Sequence, residues 1–194
     1  MYELVFKIRR KISVVLSSLI FRMSFKEFGS KSSIFRPDLL QGLKFAKIGK
    51  HVVIQPGLWL LALKNDKLDP ILNIGNGVYI GRYFHIVSVR RVIIRDNVLI
   101  ADKVYISDNL HQYEDIKVPI GRQPVVFKNK VEIKEGAWIG ENVSIIGASV
   151  GKNSVVAANS VVTKDIPDYC VCAGIPAKVI KKYCPEKNEW VTVS

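Results

Sequence analysis

The 194-residue sequence is short of acidic residues, cysteine and histidine, and it has no long apolar run. Its three cysteines, Cys170, Cys172 and Cys184, all fall in the last 25 residues, at spacings that match no zinc ribbon or finger. They read as reduced thiols, with no disulfide framework and no metal. His51, His85 and His111 are the only histidines; they lie 34 and 26 residues apart, so no closely spaced imidazole pair exists to hold a metal. The longest apolar run, Ile12 to Phe21, includes three serines and is too short to cross a bilayer. It lacks a small-residue cleavage site, which argues against a secretory signal and predicts a cytoplasmic protein.

Positive charge is abundant instead. Against 17 Asp+Glu stand 29 Lys+Arg, a net of +12, while 48% of residues are hydrophobic, a composition that excludes disorder for most of the chain. Residues 1–50 carry 11 Lys+Arg against 3 Asp+Glu, a net of +8, and residues 51–194 carry 18 against 14, a net of +4. Within the basic N-terminal segment Leu4, Ile8, Ile12, Val15, Leu19 and Met23 recur at three- and four-residue steps, which predicts an amphipathic helix. Two readings of that helix stay open: it lies on an anionic membrane surface, or it packs its apolar face on the rest of the protein or on another subunit. Nucleic acid is the weakest partner class, because no aromatic-and-basic recognition motif accompanies the charge.

At residue 48 the pattern changes to a six-residue beat. It runs Ile48, Ile54; Ile74, Ile80, Ile86; Ile94, Ile100, Ile106; and Phe127, Ile133, Ile139, Ile145, Val150, Val156, Val162. A second position, four residues after a beat, is small or β-branched: Val52, Val78, Val98, Val104, Val131, Ala137, Val143, Ser154 and Ser160. Such a repeat predicts an all-β solenoid, a parallel β-helix in which each hexad forms one short strand and three hexads close a triangular coil. The beat points into the narrow interior, and Gly, Asn and Asp at the corners tolerate positive φ. The expected organisation is a basic N-terminal segment over 1–47, a β-helix over 48–166 and a C-terminal tail over 167–194. The beat is interrupted by an excursion around Leu58 to Pro70 and by a loop ejected over about 108–124. Sites are usually built on loops that leave a rigid scaffold. His111 stands where the chain leaves the coil, which makes it the candidate general base.

The hexad array, Asp108-x-x-His111 with Tyr113-Glu114-Asp115, Ala137-Trp138-Ile139-Gly140-Glu141-Asn142, Ala158-Asn159 through Thr163-Lys164-Asp165-Ile166-Pro167, and Ala173-Gly174-Ile175-Pro176-Ala177-Lys178 together resemble the hexapeptide-repeat acyltransferases. Within them the chain most resembles the maltose and galactoside O-acetyltransferase branch, which includes enzymes acting on capsule and lipopolysaccharide sugars. The resemblance covers about 48–182 and implies a left-handed β-helix, a homotrimer with active sites between neighbouring subunits, acetyl-CoA as donor and a sugar or glycan hydroxyl as acceptor. It places His111 on the catalytic histidine and Glu141, Ala158, Thr163, Lys164 and Lys178 on the CoA contacts. Glu141 stands where sugar acetyltransferases carry a small polar residue, so only its backbone is expected to contribute. Asn109 stands where many relatives carry a further histidine. Asp108, Glu114 and Asp115 are the nearby acids from which an acceptor for the second ring nitrogen would come. His85, Asp108 and Asn109 are candidate acceptor-sugar contacts, and Trp138 fits either a pantetheine groove or subunit packing. The spaced histidines disfavour the γ-type carbonic anhydrases, which share the fold and bind zinc through three histidines. An N-acetyltransferase and a non-catalytic trimeric scaffold are the remaining alternatives.

Overall fold

A computed structural model describes residue 1 and residues 17–65 and 68–193. The chain winds as a triangular prism of short parallel strands, stacked coil on coil into three faces. Face A comprises Glu27–Phe28, Ala46–Ile48, Ile71–Ile74, Arg91–Ile94 and Val131–Ile133. Face B comprises Ser33–Ile34, Val53–Ile54, Tyr79–Ile80, Leu99–Ile100, Trp138–Ile139, Val155–Val156 and Cys170–Gly174. Face C comprises Leu39–Gln41, Trp59–Ala62, His85–Ser88, Tyr105–Ser107, Ser144–Ile146 and Val161–Val162.

The hexad beat sets the packing. From Ile48 to Val162 every beat except Phe127 lies buried in one continuous core, stacked in register on the beat of the next coil. Burying an aliphatic side chain of this size contributes about 1.5–3 kcal/mol. The nine small or β-branched second positions are buried too. Their serines bond to the main chain: the Ser154 hydroxyl donates to the Pro167 carbonyl and accepts from the Cys170 N–H. At the corners, one coil supports the next through carboxylates. The Asn76 N–H donates to Asp96 at 2.7 Å and the Arg82 N–H to Asp102 at 2.7 Å. A Cβ at Gly75 or Gly81 would lie 2.3 Å from those same carboxylate oxygens, which is why glycine stands at both corners.

Four expectations need correction. The solenoid starts at Glu27, not at 48, because Glu27–Phe28, Ser33–Ile34 and Leu39–Gln41 pair in parallel register with the coil above and form a complete first coil. It also runs past 166, since Val156 pairs with Cys172; only then does the chain reverse, through Ala177–Cys184 and Glu189–Thr192, which extend face B antiparallel. Trp59–Ala62 is a strand of face C rather than part of an excursion, because Leu60 supplies the inward beat. Phe127 is not an inward beat; it lies in a hairpin outside the prism, where the Arg90 guanidinium sits 4.8 Å from its ring centroid.

The predicted N-terminal helix is described over 17–24. Phe21 and Phe25 are buried and cluster with Phe28 at centroid distances of 5.6–5.8 Å, closing the open end of the core. Leu19 and Met23 are exposed; Leu4, Ile8, Ile12 and Val15 lie outside the described residues.

Cys170 and Cys172 point into the core as small apolar fill, and Cys184 is partly exposed. Burial pushes the Cys172 thiol up from near 9 to about 11. At pH 8 the folded protein is expected to react with iodoacetamide at Cys184 only, with all three thiols labelled after denaturation, a pattern that mass spectrometry reads directly. Because the folded-state value is raised, this thiol's contribution to stability is intact below pH 9 and declines as pH climbs from about 9 to about 11.

Candidate active site

The geometry begins where face C ejects its loop. After Tyr105–Ser107 the chain turns at Asp108 into an antiparallel hairpin, Asn109–His111 with Val125–Phe127, which pairs His111 with Val125. Asp108 is fully buried, and its carboxylate accepts from the backbone N–H groups of Val89, Arg90 and Arg91 at 2.9, 2.8 and 2.6 Å. The Ser88 hydroxyl and the Asn109 amide donate to it at 3.3 and 3.0 Å, and the Lys128 N–H closes the hairpin base on the Asp108 carbonyl. Asp108 and Asn109 were expected to touch the acceptor. The structure assigns them to the frame instead, with the carboxylate saturated by donors and Asn109 only 8% exposed.

His111 ends the first hairpin strand with its side chain exposed. Among the described residues no group hydrogen-bonds its ring. The neighbouring acids turn to the main chain of their own loop: Glu114 accepts from the Tyr113 N–H and Asp115 from the Lys117 N–H. Gln123 ties the loop together by donating to the carbonyls of Asp115 and Val118. The imidazole is therefore presented on a hairpin, with neither ring nitrogen partnered among the described residues.

The residues expected to contact CoA fall at two corners flanking face C. Glu141 and Ala158 occupy successive coils at the corner between faces B and C, where the Asn159 N–H donates to the Glu141 carbonyl at 2.9 Å. The Glu141 carboxylate faces Lys103 at 3.6 Å. Thr163 and Lys164 follow the last strand of face C, at the same side of the prism from which the hairpin leaves. Lys178 lies on Ala177–Cys184, paired with Ala173 at the end of face B. Among the described residues neither Lys164 nor Lys178 is in an ion pair, and both are exposed. Exposed ammonium groups without an acidic partner among the described residues, at corners flanking face C, suit phosphate groups.

His85 lies on the outer side of face C between two aromatic rings that sequence reading did not single out. Trp59 stacks below it at 5.3 Å and Tyr105 above it at 5.0 Å, each one coil away in register. Its Nε2 is buried without a partner among the described residues, and burial pushes the imidazole below its ordinary range, so the ring is neutral near pH 7. The period-six spacing of Trp59 one residue before Leu60 was the available signal. His51 is an exposed turn residue with φ of 58°.

The fold and this site define a coiled hexapeptide-repeat protein with a histidine-bearing hairpin, and comparisons with known proteins agree. The family described as "Hexapeptide repeat of succinyl-transferase" matches residues 130–164. A Saccharomyces cerevisiae protein named as an acetyltransferase, YJL218W, is 44% identical over 125 residues, covering 61% of this chain and 62% of that protein. The galactoside O-acetyltransferase of Lactococcus lactis is 29% identical over 158 residues, covering 79% and 72%. Its Escherichia coli namesake is 32% identical over 145 residues, covering 71% and 64%. The chain thus spans less than two thirds of the length of the yeast and Escherichia coli relatives, 62% and 64%. Among solved structures, the Bacillus cereus N-acyltransferase AntD with dTDP and 3-hydroxybutyryl-CoA superposes with a TM-score of 0.72 at 18% identity, covering 88% and 90%. A Vibrio cholerae hexapeptide-repeat acetyltransferase with acetyl-CoA gives 0.56 at 24% identity, covering 84% and 74%. These likenesses bear on the fold, a left-handed parallel β-helix. In sequence and fold the chain is similar to the hexapeptide-repeat acyltransferases.

Proposed function

We propose that the protein is an O-acetyltransferase that moves an acetyl group from acetyl-CoA to a sugar hydroxyl, in the synthesis of a cell-surface polysaccharide. The observation that supports this reading is the exposed His111, on a hairpin whose base is fixed by the buried Asp108, leaving the prism on the same side as the exposed Lys164. His111 takes the proton from the acceptor hydroxyl as its oxygen attacks the thioester carbonyl, and returns it to the departing CoA thiolate. Lys164 and Lys178 hold CoA phosphates, with Thr163, Ala158 and the backbone at Glu141 lining the chain between them. His85, flanked by Trp59 and Tyr105, offers an aromatic platform with a polar nitrogen for the acceptor.

The working unit in this reading is a homotrimer. Tyr79, Leu99 and Trp138 stack in register as an exposed apolar ladder on face B, a surface that a neighbouring subunit would cover. The open ring nitrogens of His111 then meet groups from that neighbour. The trimer works in the cytoplasm, at the inner face of the membrane.

The test is release of CoA thiol from acetyl-CoA with the purified protein and a panel of glycans and nucleotide-linked sugars. Turnover with hydroxyl acceptors supports the reading. Turnover confined to amino sugars makes the protein an N-acetyltransferase, and CoA binding without turnover on any acceptor makes it a scaffold.

A further inference from the structure

The N-terminal end of the prism carries a surface that acetyl transfer does not use. In the helical segment 17–24, Phe21 and, just beyond it, Phe25 are anchored into the core. Leu19, Ile20 and Met23 occupy the opposite side of the helix and are 58%, 63% and 90% exposed. A helix with two apolar sides has one more than the fold needs. Anchoring by phenylalanine fixes which side is left over, and it contains Leu19 and Met23, members of the same three- and four-residue spacing as Leu4, Ile8, Ile12 and Val15.

Basic groups lie at the same end of the prism. Arg22 is exposed on the helix itself. Beside the helix, Lys26, Lys44 and Lys64 line a cleft of about 570 Å³. Lys64 is neutralised by Asp69 at 3.0 Å. Lys26 and Lys44 have no acidic partner among the described residues, and Lys44 lies 4.9 Å from the centroid of the Phe45 ring. No helix among the described residues is long and apolar enough to span a membrane.

We propose that this end of the solenoid docks on an anionic phospholipid bilayer: Leu19, Ile20 and Met23 enter the interface while Arg22, Lys26 and Lys44 face headgroup phosphates. The charge selects this occupant. A second copy of the chain would bring the same uncompensated cations into contact with themselves, whereas an anionic bilayer offers apolar depth and negative charge together. The inference deepens the peripheral-membrane part of the proposed function and does not depend on acetyl transfer.

Vesicle flotation of the full chain tests it, with phosphatidylcholine vesicles compared against vesicles containing about one third phosphatidylglycerol. Binding is expected to the anionic vesicles alone and to weaken as salt is raised, because screening shortens the reach of the lysines. A K26Q/K44Q variant is expected to bind roughly twenty-fivefold more weakly, about fivefold for each surface lysine removed. An L19S/I20S/M23S variant is expected to lose binding while its circular dichroism and melting temperature stay as in the parent. Both variants should keep acetyl transfer to a soluble acceptor, which separates failure of docking from failure of the enzymatic reading. The proposal is overturned if anionic vesicles are not bound, or if both variants bind as the parent does. It is equally overturned if the triple variant changes the oligomeric state in light scattering, since a second copy would then be the occupant.

Discussion

Replacing His111 with alanine is expected to lower kcat for acetyl transfer by about 10²–10⁴, the range over which a positioned general base acts. The size of the effect follows from its isolation. No other histidine lies on the ejected hairpin, and Glu114 and Asp115 are engaged by main-chain N–H groups of their own loop, so among the described residues of that loop none is placed to take over the proton. The same exposure predicts what stays unchanged. The side chain is not packed, and the pairing of residue 111 with Val125 is a main-chain feature, so the fold and CoA binding should persist. Turnover, CoA affinity by calorimetry and the melting temperature together read the variant. Near-normal turnover would remove His111 from the mechanism, and lost CoA binding would move it to the donor site.

The second large effect is on stability. Asp108→Ala removes one buried carboxylate and strands the N–H groups of Val89, Arg90 and Arg91, while the Ser88 hydroxyl keeps its bond to the Ile71 carbonyl at 3.0 Å. Hydrogen bonds to a charged group contribute about 1.5–3 kcal/mol each, and not additively, so a loss of about 3–5 kcal/mol is expected in denaturant unfolding. Asp108→Asn keeps an acceptor oxygen while pointing an amide at donors, and should fall between parent and alanine variant. Activity should fall with Asp108→Ala because the hairpin base loosens, even though the carboxylate touches no reacting atom. An alanine variant as stable as the parent would mean that water or a shifted loop satisfies those donors.

The prism was legible in the sequence because its interior is so narrow: one aliphatic residue per hexad writes the beat directly into the chain. What escaped has physical reasons. The first coil, with Phe28, Ile34 and Leu40 at the same six-residue step, is closed by a phenylalanine cluster, and its helix-bearing flank masked the beat. Phe127 kept the phase by coincidence, since its place is set by antiparallel pairing with Asn109 and by Arg90. Asp108 was visible as a polar residue beside the candidate base, but neither period nor composition reveals that a carboxylate is buried against three main-chain donors from the preceding turn. The ladder of Trp59, His85 and Tyr105 is likewise a product of register between coils 20 and 26 residues apart, which a linear pattern shows only after the strands are aligned.

Parallel strands in adjacent coils are spaced about 4.8 Å apart. The strand that leads to His111 is the fourth of face C, counted from Leu39–Gln41. The hairpin thus leaves the prism about 14 Å above its first coil. If the N-terminal end rests on a bilayer as proposed, the solenoid would act as a ruler that sets His111 at a fixed height above the membrane surface. Its graduations are whole coils, so inserting or deleting one would move His111 relative to that surface by a step of about 5 Å without altering any residue of the hairpin.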